Sequence, residues 1–243
     1  MSKIDEYRQT LQSTKDWDSF LIENSGLPGP RGNLELAHAV AQEGSLEQFD
    51  HFLTYHAEEN TPEVFVFFCG VMGLGKLAAE QPALFNRLRE YASDPRWRIR
   101  EAVATGLQLS GDQNMDLLVS EMKKWSRGNW YEKRAAAAAL AEPRLLKQPK
   151  YARQVLQTLD KITASMEKDE QSRDESFKVF RQAMGYCWSV AVAALPDVGK
   201  PMMENWLSSA NQDIRWIMRE NFKKNRLLKM DAAWVKKCLE KLE

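Results

Sequence analysis

The sequence predicts an all-α protein, an α-solenoid of antiparallel helix pairs with about 12 to 14 helices. Three observations lead there. Apolar residues recur three and four apart almost everywhere, as in Ile99, Ala102, Val103, Gly106 and Leu107, or Val155, Leu159, Ile162 and Met166, which is the stripe that one buried helix face needs. Turn-forming clusters interrupt this pattern at short intervals, so each helix is followed at once by a neighbour running the other way. A pattern centred on an arginine returns along the chain at spacings of 34, 47 and 38 residues, at Arg100, Arg134, Arg181 and Arg219. Unequal spacing near 40 is what stacked two-helix units give when their turns vary in length.

Taken in order, the first break is "NSGLPGPRGN" (24 to 33), the densest run of Gly and Pro in the chain. It reads as a stiff turn handing over to a helix capped by Asn33, with Glu35 in the first turn where the helix dipole favours an acid. Arg31, the Gly32 amide and the helix start at Asn33 form a candidate anion site. After "AEENTPE" (57 to 63) comes the longest apolar run, Val64 to Met72, too short to span a bilayer. The following "GVMGLGK" has Gly70, Gly75 and Lys76 at the spacing of a phosphate-binding loop. Leu77 stands where that loop needs a magnesium-binding hydroxyl, and a lone strand among helices cannot supply the parallel sheet. The region is therefore read as a buried helix from about Glu63 to Gln81 whose Gly70 and Gly73 admit a close neighbour.

In "SDPR" (93 to 96), Asp94 is expected to cap the next helix, Arg100 to pair with the turn of an adjacent repeat, and Trp97 to cover a seam. Further breaks fall at "SGDQN" (110 to 114), "SRGNW" (126 to 130), "LPDVGKP" (195 to 201) and "SANQD" (209 to 213). Between them "RAAAAALA" (134 to 141) predicts a helix held close to its neighbours. The mixed-sign "EKDEQSRDES" (167 to 176) reads as a solvated loop.

Composition narrows function mainly by exclusion. The chain of 243 residues has 44% apolar residues and a net charge of zero. Residues 1 to 100 carry 10 Lys and Arg against 15 Asp and Glu, and residues 101 to 243 carry 24 against 19. This mild polarity falls short of the basic composition of a dedicated nucleic-acid binder. Three scattered cysteines, Cys69, Cys187 and Cys238, and an N-terminus without a basic start and apolar block predict a reducing, cytoplasmic setting and no secretory signal. His38, His51 and His56 have no zinc-site spacing, so no metal and no cofactor is expected. Neither a serine elbow nor HExxH is present, so catalytic residues are not assigned.

Aligning "DPRWRIREAV" (94 to 103) with "DIRWIMRENF" (213 to 222) matches five of ten positions, and "GNWYEKRAAA" (128 to 137) and "ESFKVFRQAM" (175 to 184) are weaker copies. The run Asp94-Pro95, Ile99-Arg100, Ala102-Val103 and Leu107 resembles the second-helix signature of HEAT repeats. That resemblance covers roughly residues 61 to 243. It implies a right-handed solenoid forming a single domain over 1 to 243, with 1 to 60 as an atypical N-terminal cap, and an aspartate–arginine pair bridging neighbouring repeats. It also implies that second helices line a concave face where a protein or peptide partner binds. Trp97, Arg98, Tyr131 and Arg134 are candidate partner-binding residues on that face, with Trp130, Arg215, Trp216 and Arg219 beside them. "NWYEKRAAAA" (129 to 138) is similar to the arginine-bearing helix of HEAT-like DNA alkylation-repair glycosylases, which implies nucleic acid as an alternative partner. The paired-tryptophan motif and catalytic carboxylate of that family have no counterpart in this sequence.

Overall fold

A computed structural model describes residues 1–167 and 174–242. Among these residues all regular structure is helical, with 14 α-helices, a 3₁₀ turn at Pro143–Leu146 and no strand. The chain divides into two compact units, Met1–Asn114 and Met115–Glu243.

The first unit holds α1 (Lys3–Ser13), α2 (Trp17–Glu23), α3 (Leu34–Glu43), α4 (Leu46–Phe52), α5 (Pro62–Leu77), α6 (Leu84–Tyr91) and α7 (Trp97–Gln113). Local chemistry sets most of the starts. Ser2 and Ser45 close capping boxes with Asp5 and Gln48, while the Asp16 and Asn33 side chains accept from the Ser19 and Leu36 amides. Helix α5 forms the heart of the unit, buried at every position from Val64 to Gly75 and flanked by α3, α4 and α7. Gly70 to Lys76 is thus uninterrupted helix rather than a phosphate loop. The helix stops at Leu77, four residues short of the expected Gln81, because 78 to 81 turn away.

Gly70 and Gly73 face α4, as their spacing predicts: a Cβ on Gly73 would fall 2.4 Å from the Phe49 ring. The closest approach lies elsewhere. A Cβ on Gly75 would fall 2.3 Å from the Gly106 Cα, so α5 and α7 cross backbone to backbone through a glycine pair.

Two expectations for residues 94 to 100 are corrected. The N-cap of α7 is Arg96, without a side-chain cap, rather than Asp94. The Asp94 carboxylate instead takes the Arg96 backbone N–H at 2.8 Å and its guanidinium through Nε (2.9 Å) and Nη2 (2.8 Å). This twofold grip raises the Arg96 pKa and leaves no Asp94 oxygen aimed at the helix amides. Arg100, buried, donates through Nη1 to the carbonyls of Asp94 (2.7 Å) and Pro95 (2.8 Å), within the turn that begins its own helix. Arg100→Ala should therefore cost about 2 kcal/mol by stripping two part-buried carbonyls of a charged donor. Thermal melting checks this, with an expected fall of about 5 °C.

The second unit holds α8 (Met115–Trp125), α9 (Trp130–Leu140), α10 (Pro149–Glu167), α11 (Glu175–Ala194), α12 (Pro196–Glu204), α13 (Gln212–Phe222) and α14 (Asn225–Glu240). Helix α11 is its centre, contacting α9, α10 and α13. The alanine run forms most of α9, with Ala135, Ala136, Ala137 and Ala139 buried and the helix packed on α11. Of the segment read as a solvated loop, residues 168 to 173 lie outside the described residues; Asp174 caps α11 by accepting from the Phe177 amide at 3.0 Å.

The expected break at 195 to 201 is largely helical. Pro196 takes the first turn of α12, where its missing N–H costs nothing, and Pro201 is exposed. Likewise α7 continues through 110 to 113 before stopping at Asn114. The two best copies of the repeat differ in register: Trp97 is the first residue of α7, whereas Trp216 is the fifth of α13. Asn211 accounts for the difference, since its side chain accepts from the Asp213 and Ile214 amides and starts α13 earlier in the motif.

Candidate functional site

In the second unit the facing sides of α11 and α13 leave a groove of about 570 Å³. Phe177, Lys178 and Arg181 line it from α11, and Asp213, Arg215, Trp216 and Arg219 from α13. The two helices pack closely because Gly185 presents no side chain; a Cβ there would sit 3.1 Å from Glu220 Cβ and 3.4 Å from the Trp216 ring. Trp216 is thereby fixed from behind and covered by the Arg181 guanidinium, 3.8 Å from the ring centroid.

Arg181 also ion-pairs with Asp213 at 2.9 Å, tying α11 to α13. The pair links Arg181 of the 175 to 184 copy to Asp213 of the 213 to 222 copy. Arg215 donates to the Leu207 carbonyl at 3.2 Å and, with Arg219, to the Leu242 carbonyl at 2.8 and 2.7 Å. A guanidinium has five N–H donors, so these bonds to described residues anchor both side chains without exhausting them. Among the described residues, four cations and one carboxylate thus line a groove whose aromatic wall is Trp216 and Phe177.

Trp130, Tyr131 and Arg134 lie on α9. Trp130 is buried against Phe177 and Phe180, with ring centroids 5.1 and 4.7 Å apart, and Lys133 Nζ sits 3.9 Å over its other side. It therefore supports the groove from behind, through Phe177. Tyr131 is half-buried and Arg134 buried; neither lines the groove.

Trp97 and Arg98 belong to the first unit. Arg98 is 5% exposed, and its guanidinium holds the carbonyls of Glu59 (3.0 Å) and Gly29 (2.8 Å) and Asn60 Oδ1 (3.0 Å). It joins two loops and has little left to offer a partner. Trp97 is 45% exposed. At the candidate anion site, Asn33 is engaged through its own N–H with Ser25 O and through Nδ2 with Tyr7 and Asn24. Gly32 packs against Phe65. Arg31 pairs with Glu35 at 3.1 Å, and the Glu35 backbone N–H, then Arg31, hold that carboxyl below the usual range. Arg31 is thus ion-paired with a carboxylate of the helix it precedes.

Lys178, Arg181 and Phe177 complete the groove but were not among the candidates. Their signal in the sequence was faint: in the 175 to 184 copy a lysine stands where the other copies have an aromatic residue. Among the described residues no cluster of His, Cys, Asp and Glu could hold a metal ion, and no helix is long and apolar enough to cross a membrane.

No protein-family model and no curated protein sequence matches the chain. Among solved structures it is similar to a designed armadillo repeat protein, YIII(Dq)4CqI, at 14% identity over 84% of this chain and 98% of that one, with a TM-score of 0.32. At that score the similarity says nothing about function.

Proposed function

We propose that this is a non-catalytic helical-repeat interaction protein of the HEAT type, and that the α11–α13 groove binds an acidic peptide segment of a protein partner. One observation carries the reading: Trp216, braced by Arg181, lies in a groove where, among the described residues, Lys178, Arg181, Arg215 and Arg219 outnumber the carboxylate Asp213. Aromatic and arginine anchors held in place before binding are the usual source of peptide affinity, because little side-chain freedom remains to be lost. The excess positive charge selects acidic partners and speeds their approach. Of the eight candidate partner-binding residues, Arg215, Trp216 and Arg219 carry this proposal, with Trp130 as support. The reading of the whole chain as one domain belongs to the same proposal, and limited proteolysis tests it through the absence of a stable fragment ending near Asn114.

Fluorescence anisotropy tests the ligand. The probes are a labelled decapeptide of glutamates with two phenylalanines, its lysine-for-glutamate counterpart, and a DNA duplex that is either intact or carries an abasic site. The acidic peptide should bind and the basic one should not, with Trp216→Ala weakening the acidic peptide about tenfold. Affinity should fall with salt only as far as a few screened charges require. Lesion-selective duplex binding with a steep salt slope would replace the peptide reading with the nucleic-acid one.

A further inference from the structure

A second concavity, in the first unit, is unlike the groove. It encloses about 230 Å³ between the 27–34 loop, α5 and the start of α7, with Leu27, Leu34, Phe65, Phe68, Trp97 and Thr105 among its walls. Phe65 and Phe68 lie parallel, 6.2 Å between centroids and 9° between planes, so the floor presents stacked rings. Trp97, a wall that is 45% solvent-exposed, is not loose: the Arg98 guanidinium lies 4.4 Å from its ring centroid. Arg98 in turn is fixed by three oxygens from the 29 and 59–60 loops. An exposed tryptophan locked in this way has already lost the rotamer freedom that binding would otherwise cost.

Charge indicates what fits. Arg31 is matched by Glu35 at 3.1 Å, Arg98 is matched by its oxygens and by Glu59 at 3.3 Å, and Glu101 adds one carboxylate to the lining. No excess positive charge remains to hold an anion, and most of the walls are apolar. The volume is smaller than the roughly 300 Å³ at which pockets for free small molecules begin, and is about that of one large side chain. Three aromatic walls favour a ring, which can continue the stack in offset or edge-on geometry. Trp97 lines the cavity and is 45% exposed, and a ring tethered to a polypeptide brings backbone that can cover such a rim where a free ring cannot.

We propose that this pocket is a recognition site for one neutral aromatic side chain carried by a partner polypeptide. It is separate from the α11–α13 groove and stands whether or not that groove binds acidic peptides.

The test follows indole N–H resonances in ¹H–¹⁵N NMR spectra of ¹⁵N-tryptophan-labelled full-length protein, with the Trp97 signal assigned through Trp97→Phe. The probes are acetyl-Gly-Phe-Gly-amide, acetyl-Gly-Leu-Gly-amide and toluene. The phenylalanine peptide should shift the Trp97 signal saturably with a low-millimolar Kd and leave Trp216 unmoved, and the leucine peptide should bind about fivefold more weakly. Thr105→Phe, which fills the pocket, should abolish the shift; Thr105→Met serves if the larger side chain prevents folding. An absent or unsaturable shift at about 20 mM peptide overturns the site, as does a shift that survives the filled pocket. Equal binding of the leucine peptide overturns the aromatic preference. Toluene binding as tightly as the phenylalanine peptide overturns the polypeptide source.

Discussion

Gly75→Ala should destabilise the first unit by about 3 kcal/mol, although alanine is the better helix former by about 1 kcal/mol. The methyl group would fall 2.3 Å from Gly106 Cα and 2.7 Å from its carbonyl oxygen. Those atoms are backbone of α7 and cannot swing aside as a side-chain tip could. The helices must separate, and every buried contact along α5 and α7 loosens with them. Gly106→Ala should cost less, about 1 kcal/mol, since its nearest atoms lie at 3.1 to 3.2 Å, a gap that a few tenths of an ångström relieves. Thermal melts of both variants check the order, with a drop of about 10 °C expected for Gly75→Ala. A Gly75→Ala protein as stable as the parent would mean that propensity, not the crossing, governs this helix.

Asn221→Leu should cost a similar amount, about 3 kcal/mol, by a different route. Asn221 is completely buried between α11 and α13. Its Oδ1 accepts the Ser189 N–H at 2.7 Å, and its Nδ2 donates to the carbonyls of Met184 and Ile217, both at 2.8 Å. The amide is therefore inserted into the backbone of the neighbouring helix. Leucine keeps the branched shape but leaves the Ser189 N–H and the Met184 carbonyl to find partners where water is excluded, and each stranded group costs about 1 to 3 kcal/mol. Chemical denaturation gives the loss in stability, and hydrogen exchange at the Ser189 amide locates it: protection there should fall more than at the centre of α10. Full stability in Asn221→Leu would show that α11 closes its own ladder once the intruder is gone.

Neither effect could be read along the chain. Asn221 sits opposite Ala102 in the repeat alignment, at a position the helical period marks as apolar. Period alone cannot say that a neighbouring helix will offer an N–H and a carbonyl there. Gly75 is one of three glycines in α5, and only the direction of the α7 crossing decides that it meets the backbone of that helix, whereas Gly70 and Gly73 face α4.

What the sequence determined by itself was local: helical period, turns rich in Gly, Pro and Asn, caps such as Asn33, and the buried character of α5. These depend on interactions within a few residues, so they survive without knowledge of the fold. The arginines show the other side. Arg96, Arg100, Arg181, Arg215 and Arg219 belong to one recurring pattern, yet Arg96 and Arg100 close a turn, Arg181 bridges two helices over Trp216, and Arg215 and Arg219 hold the Leu242 carbonyl. A guanidinium on a long flexible stem goes to whichever oxygens or rings the fold brings within reach. Only the tertiary structure supplied those partners, and it alone separated the arginines that brace the scaffold from those that line a groove.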